Sequence, residues 1–232
     1  MRELQSVIRL ITFDLDDTLW PCHATIMRAE EETLVWLQQH APEAVKGHDV
    51  SSLRTHRAEI ARKFPDIAHD MTELRLRALK DLFAPCGYSD ELAEQASDFF
   101  RVHRNRVEPY PEVVEALQRL KTHYTLVSVT NGNAQVDKTP LKDCFHLSLD
   151  AAGVGAAKPD PAIFHAACEF AGVSNDQVLH VGDDPFRDMA AATRLGIHSV
   201  WVNRSNAFWP IELPRPQWQV ADMQALADAL LS

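Results

Sequence analysis

Apolar, largely β-branched positions run through residues 8–13 and stop at Asp14, with Asp16 two positions on. A run of that kind bounded by acids predicts a buried strand whose C-terminal end emerges from a sheet. Runs of the same character occur at 124–129, 145–149, 178–181 and 199–202. The first of these ends in Thr130-Asn131-Gly132-Asn133, and the third in Gly182-Asp183-Asp184. Between the first two strands the period changes. Residues 20–107 carry four helical patterns: 22–40, 50–64, one opening at Asp70 with Glu73 in capping-box position and closing near Pro85 and Gly87, and one after Ser89. Helices are also expected after Pro111, over 161–171, over 189–195 and from 221. The stretch containing Phe208, Trp209 and Trp218 is expected to be irregular, with its aromatic rings packed on the core.

Strands alternating with helices predict an α/β fold, a Rossmann-like doubly wound parallel sheet. Its core domain would comprise 1–19 and 108–232, and a helical cap domain, 20–107, would be inserted after the first strand. A module placed there can cover a site, exclude water and read a ligand. His56, Arg57, Arg75, Arg77 and Trp20 are its candidates for that task, although solvated helix faces and core packing explain each of them too.

Composition narrows the function. The 232 residues carry a formal charge of -10, which argues against nucleic-acid binding. Four widely spaced cysteines form no C-x-x-C pair, so a reducing cytoplasm is expected. The N-terminal apolar run contains Arg9 and does not read as a signal peptide, and no stretch is long enough to suggest a membrane span.

In open α/β sheets ligands bind at the C-terminal strand ends. Asp14 and Asp16 at one such end can hold a hard divalent cation, and one carboxylate can act as a nucleophile. Asp-rich turns also cap helices, so this pair alone is ambiguous. Thr130 and the N–H groups after it can hold phosphate oxygens, although Asn-Gly is also a common turn. Lys158, set between a glycine-rich stretch and Pro159, can point inward and balance acids. Asp183, with Asp188 five residues on, marks a second acidic strand end.

Each signal is weak alone, but the ordered set resembles the haloacid dehalogenase superfamily of phosphohydrolases. Its four motifs correspond to DLDDT, VTN, the Lys of AAKPD, and GDDPFRD, and residues 20–107 resemble its helical cap of the first type. More narrowly, TFDLDDTLW, TNGNAQ and LHVGDD are similar to bacterial phosphatases acting on flavin mononucleotide and the phosphorylated riboflavin precursor. The resemblance implies a Mg²⁺-dependent phosphatase acting on a small-molecule phosphomonoester through an aspartyl-phosphate. Asp14 is then the nucleophile and Asp16 the acid and base. Thr130, Asn131 and Lys158 bind phosphate. Asp14, Asp183 and the Asp16 carbonyl hold the metal, while Asp184 and Asp188 support Lys158 or a metal-bound water. A 2-haloacid dehalogenase, a sugar-phosphate mutase and a non-catalytic phospho-ligand sensor on the same fold stay open as alternatives, as do monomer and dimer. Asp16 favours phosphoryl transfer over dehalogenation, which needs neither a metal nor a second acid.

Overall fold

The computed structural model describes residues 5–232. The first strand, β1 (Leu10–Phe13), is wholly buried. The chain then leaves the sheet for α1 (Cys22–His40), α2 (Val50–Lys63), α3 (Met71–Phe83) and α4 (Asp90–Arg104). It returns through α5 (Val113–Lys121), β2 (Thr125–Thr130), β3 (Leu147–Asp150), α6 (Ala151–Val154), α7 (Ala162–Ala171) and β4 (Val178–Gly182). A π-helical segment Pro185–Ala190 runs into α8 (Ala191–Arg194), followed by β5 (His198–Val202), β6 (Trp218–Val220) and α9 (Met223–Leu231).

The six strands are all parallel, in the order β3-β2-β1-β4-β5-β6. Central parallel strands are covered on both faces, which is why Leu-Ile-Thr-Phe and Val-Leu-His-Val read as nearly unbroken apolar runs. Leu10, Val127, Val129 and Val178 pack with Ile163, Phe164 and Ala167 of α7 and with Ala191 and Ala192 of α8. Strand order reverses between β1 and β4, the position where such sheets open a crevice for ligands. In register, Phe13 lies beside Ser128 on one side and Val181 on the other. Asp14, Thr130 and Asp183 therefore emerge at adjacent strand ends.

The chain divides into two compact units. One comprises the residues up to Pro21, Glu108–Gly132 and Val136–Ser232, and the other Cys22–Val107 with Asn133–Gln135. Within the helical unit α1 packs on α4, and α3 packs on α2 and α4. Leu37, Leu79, Phe83, Ala93 and Ala96 form its main core. Asp49, Asp70 and Ser89 cap α2, α3 and α4, each accepting from an N–H of the first turn. Asn133 donates to Thr72 Oγ1, and Gln135 exchanges hydrogen bonds with Asn105, which ties the 133–135 segment to the helices.

The C-terminal stretch departs from expectation in two places. It is not irregular throughout, because 218–220 extends the sheet as β6. Its aromatic rings do not all pack inward either: Trp209 lies edge-on to Trp201, but Phe208 is fully exposed. The expected 189–195 helix begins earlier, since Asp184 caps it by accepting from the N–H groups of Phe186 and Arg187. Among the described residues no helix is long and apolar enough to cross a membrane.

Candidate active site

Lys158 is the centre of the site at the strand ends. Its ammonium donates to Asp14 Oδ1 at 2.6 Å and Asp188 Oδ1 at 2.7 Å, with all three side chains nearly inaccessible. The backbone carrying it is held by Asn131, whose side chain accepts from Lys158 N–H at 2.7 Å and donates to Lys158 O at 2.8 Å. The Asn131 amide is thus committed to Lys158 rather than held ready for a phosphate. Thr130 is buried, and its hydroxyl accepts from Gly132 N–H at 2.9 Å.

Asp14 closes β1, where its N–H donates to Val181 O at 2.9 Å. The next turn is tight: Asp17 N–H donates to Trp20 O at 2.8 Å, and Asp17 adopts φ of 61°, a left-handed conformation that Asp tolerates. Trp20 is buried at that turn and its indole N–H donates to Asp16 Oδ1 at 2.7 Å. It orients Asp16, and is not an exposed ring awaiting a ligand.

Asp188 arises from the π-helical turn, in which Met189 N–H reaches back to Asp184 O. A Cβ on Gly182 would stand 2.3 Å from Asp188 Oδ2, so only glycine lets the carboxylate lie against β4. Asp184 supports Asp188 through its main chain, its N–H donating to Asp188 Oδ2 at 3.1 Å. The Asp184 carboxylate itself serves as the helix cap, accepting from the N–H groups of Phe186 and Arg187.

Residues outside the predicted set complete the arrangement. Thr18 donates to Asp183 Oδ1 at 2.9 Å. Trp201 Nε1 donates to Asp183 O at 2.8 Å, and Arg204 Nε donates to Thr18 O at 3.0 Å. His180, fully buried on β4, has Nε2 3.2 Å from Asp188 Oδ1 and Nδ1 2.9 Å from Thr12 Oγ1. Burial holds its pKa below the ordinary imidazole value. The neutral ring therefore donates from Nε2 to the carboxylate and accepts at Nδ1 from Thr12. A lone histidine in an otherwise apolar strand was the available signal, since a buried polar ring requires partners.

The charges do not balance. Asp14, Asp183 and Asp188 offer oxygens within 4.8 Å of one another, against one ammonium. Burial, opposed by Lys158 but reinforced by Asp188 and Asp183, raises the Asp14 pKa. Burial and then Asp188 push Asp183 up to about 7. Burial also acts against ionising Asp188, but Lys158 and His180 outweigh it and hold its carboxyl below the usual range. Lys158 is likewise disfavoured as a cation by burial, yet Asp14 and Asp188 keep it charged. An all-oxygen donor set with surplus negative charge fits a hard divalent cation. Lys158→Met should therefore leave two buried carboxylates unpaired and cost about 3–5 kcal/mol in a urea unfolding series run in EDTA.

A doubly wound parallel sheet with a helical insert after its first strand, and a lysine-bridged acidic cluster at its switch point, defines an α/β enzyme that binds its ligand at the strand ends. Residues 8–196 match the haloacid dehalogenase-like hydrolase family. The chain belongs to that family and is an enzyme, a hydrolase. It is 32% identical over 203 residues to the 5-amino-6-(5-phospho-D-ribitylamino)uracil phosphatase YigB of Escherichia coli K12, covering 86% of this chain and 85% of that one. It is 25% identical over 207 residues to the glyceraldehyde 3-phosphate phosphatase of Methanopyrus kandleri, covering 85% of each. The crystal structure of a 2-haloacid dehalogenase from Pseudomonas syringae pv. Tomato DC3000 superposes with a TM-score of 0.88 at 34% identity, covering 96% of this chain and 98% of that one.

Proposed function

We propose that the enzyme hydrolyses a small-molecule phosphoric monoester through an aspartyl-phosphate on Asp14. The observation that carries this reading is the Lys158 ammonium bridging Asp14 and Asp188, with Asp16 two residues beyond Asp14. In the first step an Asp14 oxygen bonds to phosphorus as the bond to the leaving oxygen breaks, and Asp16 protonates that oxygen. In the second, water attacks the phosphoryl group and gives its proton to Asp16, releasing phosphate and restoring the Asp14 carboxylate. Lys158 neutralises equatorial oxygens, and the Thr130 hydroxyl donates to one of them. Asn131 contributes by fixing Lys158. His180 and Thr12 fix Asp188.

Mg²⁺ is the divalent cation that the acidic cluster suits; Asp14, Asp183 and the Asp16 carbonyl would hold it, and it would supply charge neutralisation. Asp188 belongs to the same cluster but is drawn to Lys158. The substrate we favour is the phosphorylated ribitylaminouracil intermediate of riboflavin synthesis or flavin mononucleotide, supported by the likeness to YigB. The dehalogenase reading has its own support in the Pseudomonas syringae structure, and the two differ in what they release.

A panel of ribitylaminouracil phosphate, flavin mononucleotide, glyceraldehyde 3-phosphate, sugar phosphates and L-2-chloropropionate separates them by assaying phosphate and halide. Phosphate release, led in kcat/KM by the flavin-type compounds, is expected. Another phosphomonoester in the lead would discard the riboflavin assignment and keep the chemistry. Halide release without phosphate release would overturn both.

A further inference from the structure

The helical unit buries a second unbalanced charge cluster. Glu30 of α1 is 5% exposed, and three guanidinium groups converge on its carboxylate. Arg57 reaches Oε1 at 2.9 Å, Arg75 reaches the same oxygen at 3.3 Å, and Arg54 Nε donates to Oε2. Burial opposes the ionisation of Glu30, but Arg57 and Arg75 outweigh it and hold the carboxyl below its ordinary value. Arg75 is the deepest of the cations. Burial and the neighbouring Arg57 charge pull its pKa down to about 9 in spite of Glu30.

A purely structural buried ion pair needs matched charges and satisfied donors. This cluster has neither. Three cations share one carboxylate, and Arg75 Nε is buried with no hydrogen-bond partner among the described residues. The Arg75 guanidinium lies 3.3 Å above the Phe100 ring, which fixes its plane while leaving the charge surplus in place. Arg54 and Arg57 are 35% and 23% exposed, so the cationic side of the cluster meets solvent.

Glu30, Arg57 and Arg75 border a cavity of about 40 Å³. Glu30, His56, Arg57 and Arg75 dominate its polar side, and apolar side chains including Leu53 and Leu79 line most of the remainder. His56 is engaged with Ala78 O and Asp81, so the arginines dominate the field. The volume is several times that needed for one water. It suits a small oxyanion head, and the leucines suit a short apolar body attached to it.

We propose that this cavity binds a small organic oxyanion, a carboxylate or phosphate-type group on a short apolar chain, with Arg57 and Arg75 as its principal donors. Guanidinium groups match the planar, two-oxygen face of such an anion. Glu30 holds the guanidiniums in place and also competes with the incoming anion for them. The site belongs to the helical unit and does not depend on which ester the hydrolase cleaves.

Butyrate and butylphosphonate are the probes, titrated calorimetrically into the full chain at constant ionic strength with chloride as the control. Saturable binding of either probe is expected, and which of them binds tighter separates a carboxylate from a phosphate-type ligand. Arg57→Gln should weaken that binding about tenfold or more, the scale of one charge-assisted hydrogen bond. Glu30→Gln removes the competing carboxylate and should tighten it. The Tm lost in Glu30→Gln should also be regained with butyrate or butylphosphonate and not with chloride. Binding no stronger than that of chloride overturns the proposal. So does binding unchanged in Arg57→Gln, which would place the probe elsewhere. Should Arg57→Gln fail to fold, Glu30→Gln decides alone: weaker or unchanged binding identifies the cluster as a structural ion-pair network only.

Discussion

Asp14→Asn is expected to lower kcat by on the order of 10⁴-fold or more, with little change in Tm. The substitution preserves shape, and the remaining Oδ1 can still accept from Lys158, which keeps Asp188 as its second acceptor. What disappears is the negative oxygen that would bond to phosphorus, because an amide nitrogen has no comparable lone pair to offer. The fold tolerates the loss because burial, Asp188 and Asp183 all work against a charge on Asp14, with Lys158 opposing them. Removing its charge relieves a site in excess of acid. Initial rates of phosphate release and thermal unfolding of the same preparation test both halves. A phosphorylated peptide containing Asp14 should appear in acid-quenched wild-type enzyme and be absent from the variant. A variant that turns over at a rate close to wild type would remove Asp14 from the nucleophile's role.

The legible and illegible parts of the site differ in how far apart their residues lie and in what each carries. Asp14, Thr130, Lys158 and Asp183 each follow a strand or sit in a Gly- and Pro-marked loop, so a sheet of the expected type brings them together at one edge. Side-chain commitments are harder to read. Nothing in Thr-Asn-Gly says that the Asn131 amide will clasp the Lys158 backbone, and nothing in Asp-Asp-Pro says which acid will cap the helix. That is settled by Pro185, which starts the helix immediately after Asp184 and places two N–H groups over its carboxylate. The strand β6 is not legible in the sequence because three residues between Pro216 and Asp222 are too few to show a period. Glu30, Arg57 and Arg75 come from three different helices, and only tertiary packing reveals that their charges meet.

Treatment with EDTA should abolish turnover, by on the order of 10³-fold or more, and Mg²⁺ should restore it, the scale set by several kcal/mol of charge neutralisation. The same titration should depend on pH in a defined direction. In the metal-free site Asp183 titrates at about 7, pushed up by burial and Asp188, and Asp14 is raised as well. Mg²⁺ binds carboxylates rather than carboxylic acids, so below that pH it must displace protons. Apparent affinity should therefore climb with pH through the Asp183 titration at about 7. Stability follows the linked sign. A carboxyl whose folded pKa is raised binds more protons in the folded chain than in the unfolded one. Metal-free enzyme should thus lose stability from this group as pH rises from about 4 towards 7. Bound Mg²⁺ opposes the loss, contributing about 2.7 kcal/mol at a hundredfold excess over Kd. The Tm difference between Mg²⁺ and EDTA samples should accordingly be small near about pH 5.5 and large near about pH 8. Equal differences at the two pH values would show that the cation acts away from Asp183. Turnover that survives EDTA would favour the halide-releasing chemistry, in which Asp14 attacks carbon and the acidic cluster has no cation to hold.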